Sequence, residues 1–304
     1  MHKATLGIGK VRGACHSDQI VFEQIMTDPV ATVIIPTFNH GRSLALAVQS
    51  ALAQTVGVEI FIIGDGVPDA NKQLIHDLAE KDARITFFDF PKHPSRGEPY
   101  RDDVIANAKG RIIAYLCDRD IWFPNHIASL EGMLRNADFC HSLPLHVFPE
   151  AEIRSYATDL AIPIHRYNMT HLWNRVPLSC AAHSVAFYRS LEKGWEETPA
   201  GQLTDWFFFK KFLRRQDCRF ASGTLPTALT FPTRPRPDWT EDQRVDELAQ
   251  WLDRLTNERS RQALTLDILK VAVKQRDRMI GELYLKLLKL QQKGVEKPAS
   301  APVS

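Results

Sequence analysis

No apolar run in this 304-residue chain approaches the ~20 residues that a membrane-spanning helix needs, and the first 30 residues lack the continuous apolar stretch of a signal peptide. Cysteine is scarce. Cys15, Cys117, Cys140, Cys180 and Cys218 form no C-x-x-C pair and no Cys/His ligand spacing, so neither a disulfide scaffold nor a zinc module is indicated. Strong charge of one sign is also missing: the net charge is +2, too small to point to nucleic acid as a partner. A glycine-rich phosphate loop is missing too, because "GIGKVRG" (7–13) follows no strand and fits no nucleotide-binding spacing. These absences predict reduced thiols in a cytoplasmic protein whose membrane contact, if it has any, is peripheral.

What the chain does have is alternation. "VATVIIP", "VEIFIIGDG", "RITFFDF" and "RIIAYL" are short apolar runs rich in β-formers. Helical segments separate them, among them "GRSLALAVQSALAQ", with Leu44, Val48 and Ala51 on one face, and "NKQLIHDLAEKD", with Leu74, Ile75 and Leu78 inward. Strands that are apolar on both faces and alternate with helices predict an α/β fold with a mostly parallel sheet. In such a sheet ligands bind beyond the carboxyl ends of the strands, which singles out 36–39, 64–66 and 117–120. After about residue 137 the alternation loosens. An aromatic-rich helix, "LTDWFFFKKFLRR", precedes two short strands, and from Thr240 the pattern turns helical.

The predicted organisation is a lead-in at 1–28, a catalytic domain at 29–238 with halves 29–136 and 137–238, helices at 239–291, and a disordered tail at 292–304. On the last helix, Leu264, Ile268, Val271, Met279, Leu283, Leu287 and Leu290 form a stripe. It suits packing on the catalytic domain, pairing with a second copy as a homodimer, or lying at a membrane surface.

Asp118 and Asp120 stand at i and i+2. On a continuing strand they share one face about 6 to 7 Å apart and suit a hard divalent cation. Read more plainly, Asp120 helps to start the helix after Pro124 and Asp118 is solvated. Their surroundings favour the first reading. "TVIIPTFNHGRSLALAVQSALAQT", "IFIIGDG" and "GEPYRDDVIANAKGRIIAYLCDRDIWFPNHI", in this order, resemble the family 2 glycosyltransferases, whose nucleotide-sugar domain has the fold called GT-A. The resemblance covers roughly residues 30–235 and is dense from 31 to 134.

The resemblance implies a role for each matching position. Pro36, Thr37 and Asn39 would line the nucleotide pocket, and Asp65 would recognise the base, with Gly64 standing where the family usually has a first aspartate. Arg101 would approach the nucleotide. Asp118 and Asp120 would hold the diphosphate through Mn²⁺ or Mg²⁺, and Arg119, which stands in "CDRD" where the family often has an acid, would be a cation binding the nucleotide-sugar diphosphate. Asp205 would be the general base, with Thr204 in place of the family's glutamate. His183, Arg234 and Arg236 would contact acceptor or diphosphate, while Trp122 would pack beneath the loop. The implied reaction is inverting transfer from a nucleotide-sugar donor, UDP-linked by family habit, to a glycan or lipid-linked acceptor in surface-polysaccharide or glycolipid synthesis. Its rivals are a catalytically inactive scaffold of the same fold, motivated by Gly64, Cys117, Arg119 and Thr204, and a nucleotidyltransferase, which "PTFNHGR" matches poorly.

Overall fold

The computed structural model describes residues 29–156 and 158–295. The lead-in expected at 1–28 lies outside the described residues, as does 296–304 of the expected tail. The chain runs β1 (Ala31–Thr37), α1 (Gly41–Leu52), β2 (Val58–Asp65), α2 (Asp69–Lys81), β3 (Ile85–Phe90), α3 (Glu98–Ile105) and β4 (Ile112–Tyr115). Then come β5 (Ile121–Trp122), α4 (His126–Leu134), β6 (Phe139–His141), β7 (Leu145–Val147), β8 (Ile153–Ser155), α5 (Pro163–His171), β9 (Ala181–Ser184) and α6 (Val185–Tyr188). The last elements are α7 (Thr204–Leu213), β10 (Phe220–Ser222), β11 (Ala228–Leu229), α8 (Glu241–Thr256) and α9 (Glu258–Val295).

Among the described residues the main sheet has the order β10-β6-β9-β4-β1-β2-β3. Strands β3, β2, β1 and β4 run parallel, β9 is antiparallel to both β4 and β6, and β10 is parallel to β6. The predicted α/β architecture is therefore present, with one antiparallel strand that periodicity did not announce. The sheet also continues without interruption from the first expected half of the catalytic domain into the second. Val33, Ile34, Ile35, Ile60, Ile62, Ile113 and Ala114 are fully buried, which is why these strands read as unbroken apolar runs.

A second apolar cluster explains how the C-terminal helices are held. Ile121, Phe123, Leu145, Val147, Leu229 and Phe231 meet Leu248, Trp251, Leu252 and Leu255 of α8 and Leu264 and Ile268 of α9. Helix α8 starts with a capping box in which the Thr240 side chain accepts from Gln243 N and Gln243 Oε1 accepts from Thr240 N. Its buried positions recur at i, i+3, i+4 and i+7. Of the three readings of the stripe, packing on the domain holds for its first part, Leu264 and Ile268. Met279, Leu283, Leu287 and Leu290 are exposed. Helix α9 runs to Val295 and so overlaps the start of the expected tail. No helix among the described residues is long and apolar enough to cross a membrane.

Candidate active site

Strands β1, β2 and β4 end side by side, with Thr37 opposite Gly64 in the register. Asp118 is fixed first. Thr37 Oγ1 donates to its Oδ2 at 2.8 Å, and His40 Nδ1 approaches the same oxygen at 3.2 Å. Arg119 Nη1 donates to His40 Nε2 at 3.1 Å, so His40 carries its proton on Nδ1 and hands it towards the carboxylate. Among the described residues only Oδ2 of Asp118 is engaged, which leaves Oδ1 for a ligand.

Asp120 departs from expectation. β4 stops at Tyr115 and the chain turns, with Asp120 N donating to Cys117 O at 3.0 Å, so the two carboxylates do not share a strand face. Ser179 Oγ donates to Asp120 Oδ2 at 2.5 Å and Phe231 N to Oδ1 at 2.8 Å. Loss of water pushes the carboxyl up to about 6, against the pull of those two donors. Ser179 Oγ also accepts from Cys117 N at 2.9 Å, so one hydroxyl ties both ends of the turn. Asp120 does not start helix α4 either, whose N-cap is Asn125. Trp122 packs as expected: it is buried and its Nε1 donates to Ser179 O at 2.8 Å.

At the end of β2, Asp65 is paired with Lys92 Nζ and accepts from His93 N at 2.6 Å. The same Lys92 lies 5.3 Å from the ring centre of the exposed Phe38. A Cβ side chain at Gly64 has no room: it would stand 2.8 Å from Val67 Cγ2 and 3.0 Å from Phe87 Cε2. That accounts for glycine where the family has its first aspartate. Pro36 is half-buried, and Asn39 is exposed at the mouth.

Arg101 is 6% exposed and stacks on Trp195, 4.6 Å from the ring centre. Its Nη2 donates to Arg96 O at 3.3 Å, whereas Nε and Nη1 are buried without partners among the described residues. Burial pushes its pKa down, and the nearby Glu98, Cys117, Tyr115 and Asp205 oppose this. Arg101 is thus near enough to Cys117 and to Asp205 for both to act on its charge. Asp205 lies in the first turn of α7, where Oδ2 accepts from Asn174 Nδ2 at 3.0 Å and Oδ1 from Trp206 N at 2.8 Å. Leu203, not Asp205, is the N-cap. Burial raises the Asp205 carboxyl above its ordinary value. Thr204 Oγ1 donates to Glu98 Oε1 at 3.2 Å, so a carboxylate from α3 stands beside the position where the family carries its glutamate.

Two expected contacts fall elsewhere. His183, expected at the acceptor side, is fully buried in β9: Tyr115 Oη donates to its Nε2 at 2.7 Å, and its Nδ1 donates to Ser184 O at 3.2 Å. Burial holds it neutral by pushing its pKa down to about 3. Arg236, expected at the diphosphate, is 1% exposed and grips Glu247 with Nε at 2.7 Å and Nη2 at 2.6 Å. Arg234 is exposed on the adjoining loop. His40, Lys92, Glu98, Asn174, Ser179 and Trp195 were not singled out by sequence. Only Lys92 carried a signal, since it follows the carboxyl end of β3.

The sequence pattern described as Glycosyl transferase family 2 matches residues 32–195, more than half of the chain. An uncharacterized glycosyltransferase of Nostoc sp. is 30% identical over 108 residues, covering 35% of this chain and 33% of that protein. The UDP-Glc:alpha-D-GlcNAc-diphosphoundecaprenol beta-1,3-glucosyltransferase WfgD of Escherichia coli is 24% identical over 113 residues, 36% of this chain and 44% of that protein. The matched part of the chain thus spans less than half the length of either relative. Among solved structures, S. aureus TarS 1-349 superposes with a TM-score of 0.54 at 12% identity over 72% of this chain and 68% of that one. Its complex with UDP-GlcNAc gives 0.54 at 13% identity over 73% and 65%. With the strand order, the carboxyl-edge cluster and the family pattern in agreement, the chain belongs to glycosyltransferase family 2 and has the GT-A fold.

Proposed function

We propose that this protein transfers a sugar from a UDP-linked donor to an acceptor hydroxyl with inversion at the anomeric carbon. The observation that carries the reading is Arg101, a buried guanidinium with two nitrogens unpartnered among the described residues and within electrostatic reach of Cys117 and Asp205. A buried cation with idle donors is costly unless an anion completes it, and a donor diphosphate is such an anion. Asp65 with Lys92, over Phe38, would receive the base, with Pro36, Thr37 and Asn39 along the pocket.

The acceptor oxygen attacks the anomeric carbon from the side opposite the diphosphate. Its proton passes to Asp205, and the nucleoside diphosphate leaves with the electrons of the broken glycosidic bond. A positioned base contributes roughly 10² to 10⁴ in rate, and the raised pKa of Asp205 brings it nearer the working pH. Charge building on the leaving oxygens meets Arg101 and Arg119. Asp118, whose Oδ1 has no partner among the described residues, is the residue that would hold Mn²⁺ or Mg²⁺, whereas Asp120 serves as the internal tie of the turn. Such an ion would neutralise the diphosphate. The name of the E. coli relative supports a UDP-linked donor and a lipid-diphosphate acceptor. The uncovered part of α9 supports contact with a second copy or with a membrane surface.

The test is calorimetric titration with nucleoside diphosphates and nucleotide sugars, with and without Mn²⁺ or Mg²⁺. Binding of one nucleotide, weakened by Arg101→Gln and by Asp118→Ala, is expected. A folded sample that binds none would overturn the reading in favour of a scaffold.

A further inference from the structure

Helix α9 leaves the body of the protein part-way along its length. Leu264 and Ile268 hold its first half in the second apolar cluster, and Gln275 ties it to β8, with Nε2 donating to Ile153 O at 2.9 Å and Oε1 accepting from Ser155 N at 2.7 Å. Beyond that tie Met279, Ile280, Leu283, Tyr284, Leu287 and Leu290 are each between 39% and 66% exposed. At 3.6 residues per turn these six fall within an arc of about 140°, wider than the two-position seam of a coiled coil. Leu285 lies on the far face.

The apolar surface continues on the body of the protein. Ile162, at the start of α5, lines with Leu269, Val273 and Arg276 of α9 a cavity of about 440 Å³. Ile162, Ile164, Tyr167, Leu172 and Trp173, on and beside α5, are 42% to 58% exposed. The other end of α5 reaches the cleft, because Asn174, directly after Trp173, donates to Asp205 Oδ2 at 3.0 Å.

Charge decides what covers this face. From 274 to 292 five lysines and arginines stand against two acids, Asp277 and Glu282, and Glu282 is already paired with Arg278 at 3.0 Å. Two copies laid face to face would set these positive helices against each other, whereas an anionic bilayer meets them with opposite charge while its acyl boundary takes up the leucines. Lys286 and Lys289 have stems long enough to keep their ammonium groups among the lipid headgroups.

We propose that the distal half of α9, with the exposed apolar residues of α5, binds an anionic lipid bilayer as an interfacial helix and holds the Asp205 end of the cleft towards it. Docking on the bilayer is a property of this face alone. Its use, presenting the cleft to a lipid-linked acceptor, rests on the glycosyl-transfer reading.

The experiment sediments the full chain with vesicles of phosphatidylglycerol or of phosphatidylcholine, at low and at high salt. Wild type is compared with Leu283→Gln/Leu287→Gln, Lys286→Gln/Lys289→Gln, Ile164→Gln/Tyr167→Gln and Lys81→Gln, the last an exposed position at the end of α2. Wild type is expected to bind phosphatidylglycerol vesicles, and high salt or phosphatidylcholine to weaken it roughly tenfold or more. The leucine pair should cost roughly tenfold or more and the lysine pair roughly fivefold or more, with a smaller loss for the α5 pair and none for Lys81→Gln. All these positions are exposed, so the variants should fold, and each is checked by its nucleotide titration. Wild type that stays in the supernatant with phosphatidylglycerol, or binding unmoved by the leucine pair, overturns the proposal. A dimer in sedimentation velocity that the leucine pair disperses, without vesicle binding, assigns the face to a second copy and overturns it too. Vesicle binding by a protein that takes no nucleotide overturns the donor reading and leaves the docking face standing.

Discussion

Removing Glu247 should loosen the C-terminal helices more than any surface ion pair would suggest. Arg236 is 1% exposed, and its guanidinium is completed by both Glu247 oxygens together with the carbonyls of Pro232 (3.0 Å) and Val147 (3.1 Å). In Glu247→Ala the cation keeps only the two carbonyls. Breaking one side of a buried pair costs about 3 to 5 kcal/mol, because the surviving charge is left uncompensated. The Glu247 side chain keeps 12% exposure, so water reaches the gap and the lower half of that range applies. Against a typical total stability of roughly 5 to 15 kcal/mol, this is a large fraction. The assay is urea denaturation followed by tryptophan fluorescence, since Trp251 and Trp239 lie on this part of the chain. The double variant Arg236→Met/Glu247→Leu removes both charges and should recover most of the loss. A Glu247→Ala loss under about 1 kcal/mol, or a double variant no better than the single one, would refute the account.

Three further outcomes follow from the geometry. Asp205→Asn preserves an acceptor for Trp206 N, so nucleotide affinity should change by less than about twofold while turnover falls by roughly 10² to 10⁴; wild-type kcat/KM should decline on the acid side at a pH above the ordinary carboxylate range, and a break near 3.9 would contradict the burial effect. His126, His141 and His183 are buried with pKa values pushed down to about 3, 4 and 3, so the unfolded chain takes up protons near pH 6.5 that the native state refuses. Their stability is present above that pH and lost below it, at up to about 4 kcal/mol per pH unit less what the raised carboxyls of Asp120 and Asp205 return; denaturation midpoints that stay flat from pH 7 to 5 would refute it. Gly64→Asp, which restores the family's usual residue, should destabilise by roughly 1 to 3 kcal/mol through collision with Val67 and Phe87, and an unchanged melting temperature would show that the strand yields.

The first half of the fold was legible because its strands are buried on both faces and spell themselves out as apolar runs. Strand β9, "AAHS", is short and mixed, and its place between β4 and β6 depends on those partners rather than on its own pattern. The sites divide in the same way. Asp65 and Asp118 stand at or just beyond strand ends, where the ligand rule for parallel sheets directs attention, whereas Arg101 lies inside α3 and was singled out only through the family resemblance of "GEPYRDD". The bond from Thr37 to Asp118 joins residues 81 apart, a separation that local spacing does not encode. His183 and Arg236 were misplaced because residue type says nothing about burial, and burial decides whether a polar side chain serves a ligand or the core. Asp120 was misplaced because i and i+2 share a face only on a strand, and here the chain turns.

The Ser179 hydroxyl and the Phe231 amide, which hold Asp120, limit how modular this protein is. Both come from the half of the chain that contributes β9 and the segment after β11, yet they shape the turn that presents Asp118. A chimera joined near residue 137 would replace Ser179 and the backbone around residue 231, two struts of the turn that presents Asp118, even with residues 118–120 retained. Engineers recombining this scaffold would need to treat Asp120, Ser179 and Phe231 as a single inherited unit.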